Sequence, residues 1–96
     1  MIEFHPFALD ELQAALSWYR EKSAKAAVRF LRGVDEAVER VIADPSSYPA
    51  IGTRYRYIRI KKFPFVFAYE IRGSNNIFVV AIAHTSRRKG YWTGRA

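Results

Sequence analysis

His84, Tyr91, Glu70, Arg56, Arg59 and Lys61 are the side chains of this 96-residue chain whose types suit acid–base chemistry at a phosphate. A metal-free ribonuclease uses the RNA 2′-hydroxyl as nucleophile. It needs a base beside that group, an acid at the leaving oxygen and cations around the phosphate. The set has low specificity, because any basic protein carries such residues. In the alternative reading His84 hydrogen-bonds a strand end, and Arg56, Arg59 and Lys61 line a solvated sheet edge that they keep from pairing with other chains. Tyr91 either stacks a base or enters a partner's pocket, or else packs the tail onto the sheet, and packing is the favoured reading for Trp92. Other chemistries lack their motifs: there is no GxGxxG, P-loop, HExxH or CxxC. With no cysteine and only His5 and His84 as imidazoles, neither a metal site nor a cofactor is expected. His5, beside Pro6, reads as a helix-opening residue.

Position in the chain assigns these residues to elements. Ile2 and Phe4 alternate with Glu3 in a short strand, and Pro6 suits the first turn of a helix running to about Lys22. Ala8, Leu12, Ala15, Leu16 and Tyr19 form its apolar stripe, with Asp10, Glu11 and Gln13 off it. Ser23 is the expected N-cap of a second helix carrying Ala27, Phe30, Leu31, Val34, Val38, Val41 and Ile42, which Asp44-Pro45 ends. So short a connection folds the two helices into an antiparallel hairpin. The period then becomes alternating, and three strands are predicted: Tyr55–Lys61, Phe65–Ile71 and Ile77–Ala83. The last is apolar on both faces. It should be an inner strand with the helices on one side, and the tail after it reads as too short for another packed layer. One sheet face is therefore expected to lack cover within the chain, as a docking surface for an acidic amphipathic partner.

Composition narrows the class. Half the residues are hydrophobic and 26% charged, as in globular proteins, and length suits one α+β domain over 1–96, with a hairpin at about 6–44, a sheet at about 54–83 and a basic tail at 84–96. No apolar run reaches the length of a membrane span, and the start has neither the basic nor the apolar part of a signal peptide, so a cytoplasmic setting is expected. Residues 1–53 carry six basic and eight acidic residues. Residues 54–96 carry ten basic residues and Glu70 alone, so the second half holds the whole +7 excess. An anionic partner is implied.

Phe7-Ala8-Leu9-Asp10-Glu11-Leu12, Ser17-Trp18-Tyr19, Phe30, Asp44-Pro45, Tyr48-Pro49, Arg56, Phe63-Pro64-Phe65-Val66-Phe67-Ala68-Tyr69, and His84 with Arg87, Tyr91-Trp92 and Arg95 follow one another in an order that resembles the RelE/ParE superfamily of bacterial type II toxins. The resemblance implies a helical hairpin on a small, mainly antiparallel sheet, and an acidic, partly disordered antitoxin that wraps the toxin in a hetero-oligomer. RelE-like members cut messenger RNA on the ribosome and carry an arginine in the middle strand where this chain has Val66. Arg59 and Lys61 do match basic positions of that branch, and Tyr91 lies near its C-terminal tyrosine; with His84 they form the expected set if the chain is a nuclease. The Phe-Pro-Phe stretch and the His84 to Arg87 pattern look more like the ParE branch, which implies inhibition of DNA gyrase by binding. On that reading Arg56, Arg59, Lys61, His84, Arg87, Arg88, Tyr91, Trp92 and Arg95 contact the target, and a non-catalytic nucleic-acid-binding module is the further alternative.

Overall fold

The computed structural model describes residues 1–74 and 76–95. Strand β1, Ile2–Phe4, leads into helix α1, Pro6–Lys22. His5 caps that helix as expected: its Nδ1 accepts the Phe7 N–H at 3.0 Å while Pro6 occupies the first turn, where a missing N–H leaves no bond unmade. Ser23 alone separates α1 from α2, Ala24–Ala43. Its N–H donates to Tyr19 O at 2.9 Å and its Oγ accepts from Ala26 N–H at 2.9 Å, so one residue closes one helix and opens the next. Asp44 and Pro45 then end α2.

The α2 stripe is narrower than its sequence suggests. Ala27, Phe30, Val34, Ala37 and Val41 are buried, whereas Leu31 and Ile42, expected in the core, are 40% and 55% exposed. Each follows a buried residue directly, which turns it about 100° around the helix and off the sheet. Gly33 lies on the contacting side; a Cβ there would come 2.9 Å from Ile60 Cγ2, so the helix can sit this close to the sheet only without a side chain.

The sheet comprises β1, β2 (Ala50–Ile51), β3 (Tyr55–Arg59), β4 (Phe65–Arg72) and β5 (Asn76–His84), in the order β1-β5-β4-β3-β2. Among the described residues only β1 pairs in parallel; the others form antiparallel ladders. The short β2 was not expected, and β3 stops before Ile60 and Lys61 because the chain turns there through Lys62 at φ 70°. Phe65, Phe67, Tyr69, Ile58, Ile77, Val79 and Ile82 face the helices and join Phe30, Val34 and Val41 in the main core.

The register explains why β5 is apolar on both sides. Ala68 pairs with Ala81 but Tyr69 pairs with Val79, so Val80 is an extra residue in a bulge. Alternation is reset at this point. Val80 and Ala81 both join the side away from the helices, and Ile82 returns to the helix side.

That outer face is covered by the chain itself, which corrects the expectation of an uncovered strand. Trp92, only 2% exposed, packs with Tyr55, Ala68, Val80, Ala81 and Ala83 in a second core, bordered by Ile51, Tyr57, Val66, Phe78 and Tyr91. The tail is long enough because it coils instead of extending: Arg87, Tyr91, Thr93 and Arg95 each donate their N–H to the carbonyl three residues back. Gly90 takes φ 78° within this strap, a conformation that side chains rarely adopt. Among the described residues no helix is long and apolar enough to cross a membrane.

Candidate target-binding surface

Glu70 is drawn into an ion cluster on the outer sheet face. Its Oε2 accepts from Arg54 Nε at 2.6 Å and its Oε1 from Arg72 Nε at 2.8 Å. Burial alone would push the carboxyl up, but the two guanidinium hydrogen bonds outweigh it and hold Glu70 below the usual carboxylate range. It sits five residues along β4 from Phe65, the partner of His84, which is about 17 Å at the rise of a strand. The structure therefore does not bring the Glu70 carboxylate to the imidazole.

Nor does it bring His84 to the sheet cations. His84 turns its ring edge-on to Phe65, centroids 5.2 Å apart, on the helix side. Its Nδ1 accepts the Ser86 N–H at 3.0 Å, which assigns the ring proton to Nε2. Arg59 pairs with Val66 and shares the outward side with Tyr57, so it points to the opposite face. Lys61 reaches back to the helices, with Nζ 3.3 Å from Glu36. Arg56 donates to Tyr48 O at 2.6 Å and braces the loop after α2.

The strap gathers the remaining candidates. Arg87, Arg88 and Lys89 are exposed at its crest; the Arg87 guanidinium lies 4.1 Å from the Tyr91 ring centroid and Lys89 Nζ 5.4 Å from that of Tyr57. Beneath them is a small cleft of about 190 Å³ floored by Tyr57, Val66, Ala83 and Trp92. A larger groove of about 460 Å³ runs between α1 and β5, lined by Ala15, Trp18, Tyr19, Phe65 and Ile82. His84, Arg87 and Tyr91 border both and form the ridge between them. Arg95, by contrast, is turned inward and paired with Glu11 at 3.0 Å.

Glu11 is the residue that the sequence reading missed. It accepts from Tyr91 Oη, from both terminal nitrogens of Arg95 at 3.0 and 3.2 Å, and from Ile82 N–H at 3.1 Å. A signal did exist: Ala8 and Ala15, three residues before and four after, are small and buried, so this side of α1 lies close against another element. An acid between them needs a partner.

Burial, reinforced by the bond to Glu11, pushes the Tyr91 phenol up to about 12. Tyr69, buried and donating to Pro45 O at 2.6 Å, is also pushed up to about 12. Both folded values lie above the ordinary 10.0, so the phenols favour the folded state below pH 10, and that stabilisation is lost as pH rises towards 12. Urea midpoints measured from pH 9 to 12 should fall steeply above 10. The combined Tyr69→Phe and Tyr91→Phe variant should start lower and fall less, and an equal slope would refute the assignment.

The fold and the surface together define a small basic α+β protein, a helical hairpin on a five-stranded sheet closed by a cationic strap, with no metal-binding cluster among the described residues. The chain belongs to the family of ParE toxins of type II toxin–antitoxin (parDE) systems, whose family model matches residues 2–89. Its fold is that of a solved chain described as the chromosomal ParDE TA system from P. aeruginosa, with a TM-score of 0.70 at 17% identity, over 86% of this chain and 92% of that one. No curated protein gives a significant match.

Proposed function

We propose that the chain inhibits DNA gyrase by binding, through the ridge of His84, Arg87 and Arg88 with Arg59 on the adjoining outer face, and that an acidic antitoxin holds it in check. The observation that carries this reading is the dispersal of the nuclease set. Tyr91 gives its hydroxyl to Glu11, Lys61 is drawn to Glu36, and His84 and Arg59 lie on opposite sheet faces. With Val66 in the middle strand, no cation among the described residues stands beside the imidazole on the sheet; Arg87, on the strap, borders the same clefts. A binder needs none of that constellation. It needs exposed cations on a firm support, which the packed strap supplies. The net charge of +7 favours an anionic partner segment.

The test puts the purified chain with gyrase and relaxed plasmid in one arm and with translating ribosomes and a defined messenger in the other. Blocked supercoiling with intact messenger is expected. Messenger cut only when ribosomes are present would establish the endoribonuclease instead, and tight, salt-sensitive binding to nucleic acid alone would favour the simple binding module. Arg87→Ala combined with Arg88→Ala should raise the inhibitory concentration about tenfold, near 1.4 kcal/mol. Both side chains are exposed, so the melting temperature should barely move. Unchanged inhibition would remove the ridge from the mechanism.

A further inference from the structure

The strap is fastened where the sheet runs out of strand. β1 pairs with β5 only from Ile77 to Val79, and His5 N–H makes the last bond of that edge, to Val79 O at 2.8 Å. Beyond it β5 continues to His84, paired with β4 on its other side but, among the described residues, with no strand on this edge. Two side chains take the strand's place. Arg95 donates to Val80 O at 2.8 Å, and Glu11 accepts from Ile82 N–H, so backbone groups at the bulge and just beyond it are satisfied by an ion pair joining α1 to the strap. Glu11 also holds the Tyr91 hydroxyl, and the Tyr91 ring lies 4.1 Å from the Arg87 guanidinium and 5.2 Å from that of Arg95.

From this arrangement we infer that Glu11 is a positioning residue: its carboxylate fastens the strap 84–95 to the open edge of β5 and, through Tyr91, sets the direction in which Arg87 is presented. The part of this inference that concerns Arg87 rests on the gyrase-binding reading; the fastening does not. Glu11 accepts four hydrogen bonds from three separated points of the chain. Loss of its charge leaves Arg95 as a half-buried cation without its counter-ion and frees the Tyr91 ring to turn. Arg87 stays exposed and keeps its charge but loses its fixed support, so target affinity falls while the hairpin and main core remain.

The experiment reads the strap directly and then through the target. In Glu11→Gln, trypsin should cut at Arg87, Arg88 and Lys89 at least tenfold faster than in the native chain, while cuts at Lys22 and Lys25 in the hairpin keep their rate. Arg95→Ala removes the other half of the pair without touching α1 and should behave alike. This keeps the test open if the α1 variant folds poorly. In gyrase inhibition Glu11→Gln should be about fivefold weaker, and adding Glu11→Gln to Arg87→Ala should cause no further loss, because Glu11 acts through Arg87. Strap cutting unchanged in both variants would overturn the fastening. Faster cutting with fully additive losses would overturn the action through Arg87. If the native chain leaves gyrase untouched, the functional reading fails and with it the role of Arg87, while the cutting rates still decide the fastening.

Discussion

Phe30→Ala should remove about 3–5 kcal/mol of stability, more than any other single truncation in the helical layer. Phe30 is wholly buried at the point where both helices and the sheet meet. Its ring stacks on Tyr19 at 5.0 Å and 29°, and meets Phe63 and Phe65 at 5.3 Å each, at 76° and 60°. Such pairs add roughly 0.5–1.5 kcal/mol beyond the area they bury. The cavity left by alanine cannot collapse easily, because its walls are rings fixed by the hairpin turn on one side and by β4 on the other. A chain of this size is typically stable by about 5–15 kcal/mol, and each kcal/mol moves the melting temperature by about 4–8 °C. The variant should therefore melt more than ten degrees lower. Phe30→Leu keeps most of the volume and should lose less than half as much. Equal losses would mean that ring geometry matters more than volume, and a loss under 1 kcal/mol for alanine would show that the layer is not packed around this residue.

How much of this was legible in sequence follows from how far apart the interacting residues lie along the chain. His5, Pro6 and Ser23 act on backbone groups two to four residues away, and their roles were readable from spacing alone. The main stripes were also readable, because a helical face repeats locally. The bulge was not: only pairing with β4 shows that Val80 is the extra residue, and without it the alternation of β5 looks like an uninterrupted apolar run. Glu11 was hidden for the same reason, since its partners lie 71 to 84 residues away. In a helical projection it is simply a polar residue beside the stripe. Val66 carried information that a single position could hold, the absence of a cation, but the turning apart of His84 and Arg59 depended on sheet register.

Trp92→Ala tests the least foreseen part of the fold, the second core. The indole is 2% exposed and fills the outer face over Ala68, Val80, Ala81 and Ala83, whose small side chains leave room for it. Its removal should lose about 3–5 kcal/mol if the strap is part of the cooperative unit. Beyond His84 the strap has no strand pairing among the described residues, so the loss should divide unevenly. Amide exchange in residues 84–95 should accelerate towards unprotected rates, whereas α1 and α2 keep their protection relative to the lowered global stability. The indole has a polar handle that finds no use: Nε1 is buried without a hydrogen-bond partner among the described residues. Removing an unsatisfied donor along with part of the ring offsets some of the lost packing. Trp92→Phe should thus lose only about 1–2 kcal/mol, clearly less than the alanine variant. Urea midpoints for the two variants, read beside exchange in the strap, decide the matter. A phenylalanine variant as damaged as the alanine one would mean that Nε1 has a partner in solution. Undisturbed exchange in Trp92→Ala would mean that the tail is held by the Glu11–Arg95 fastening alone.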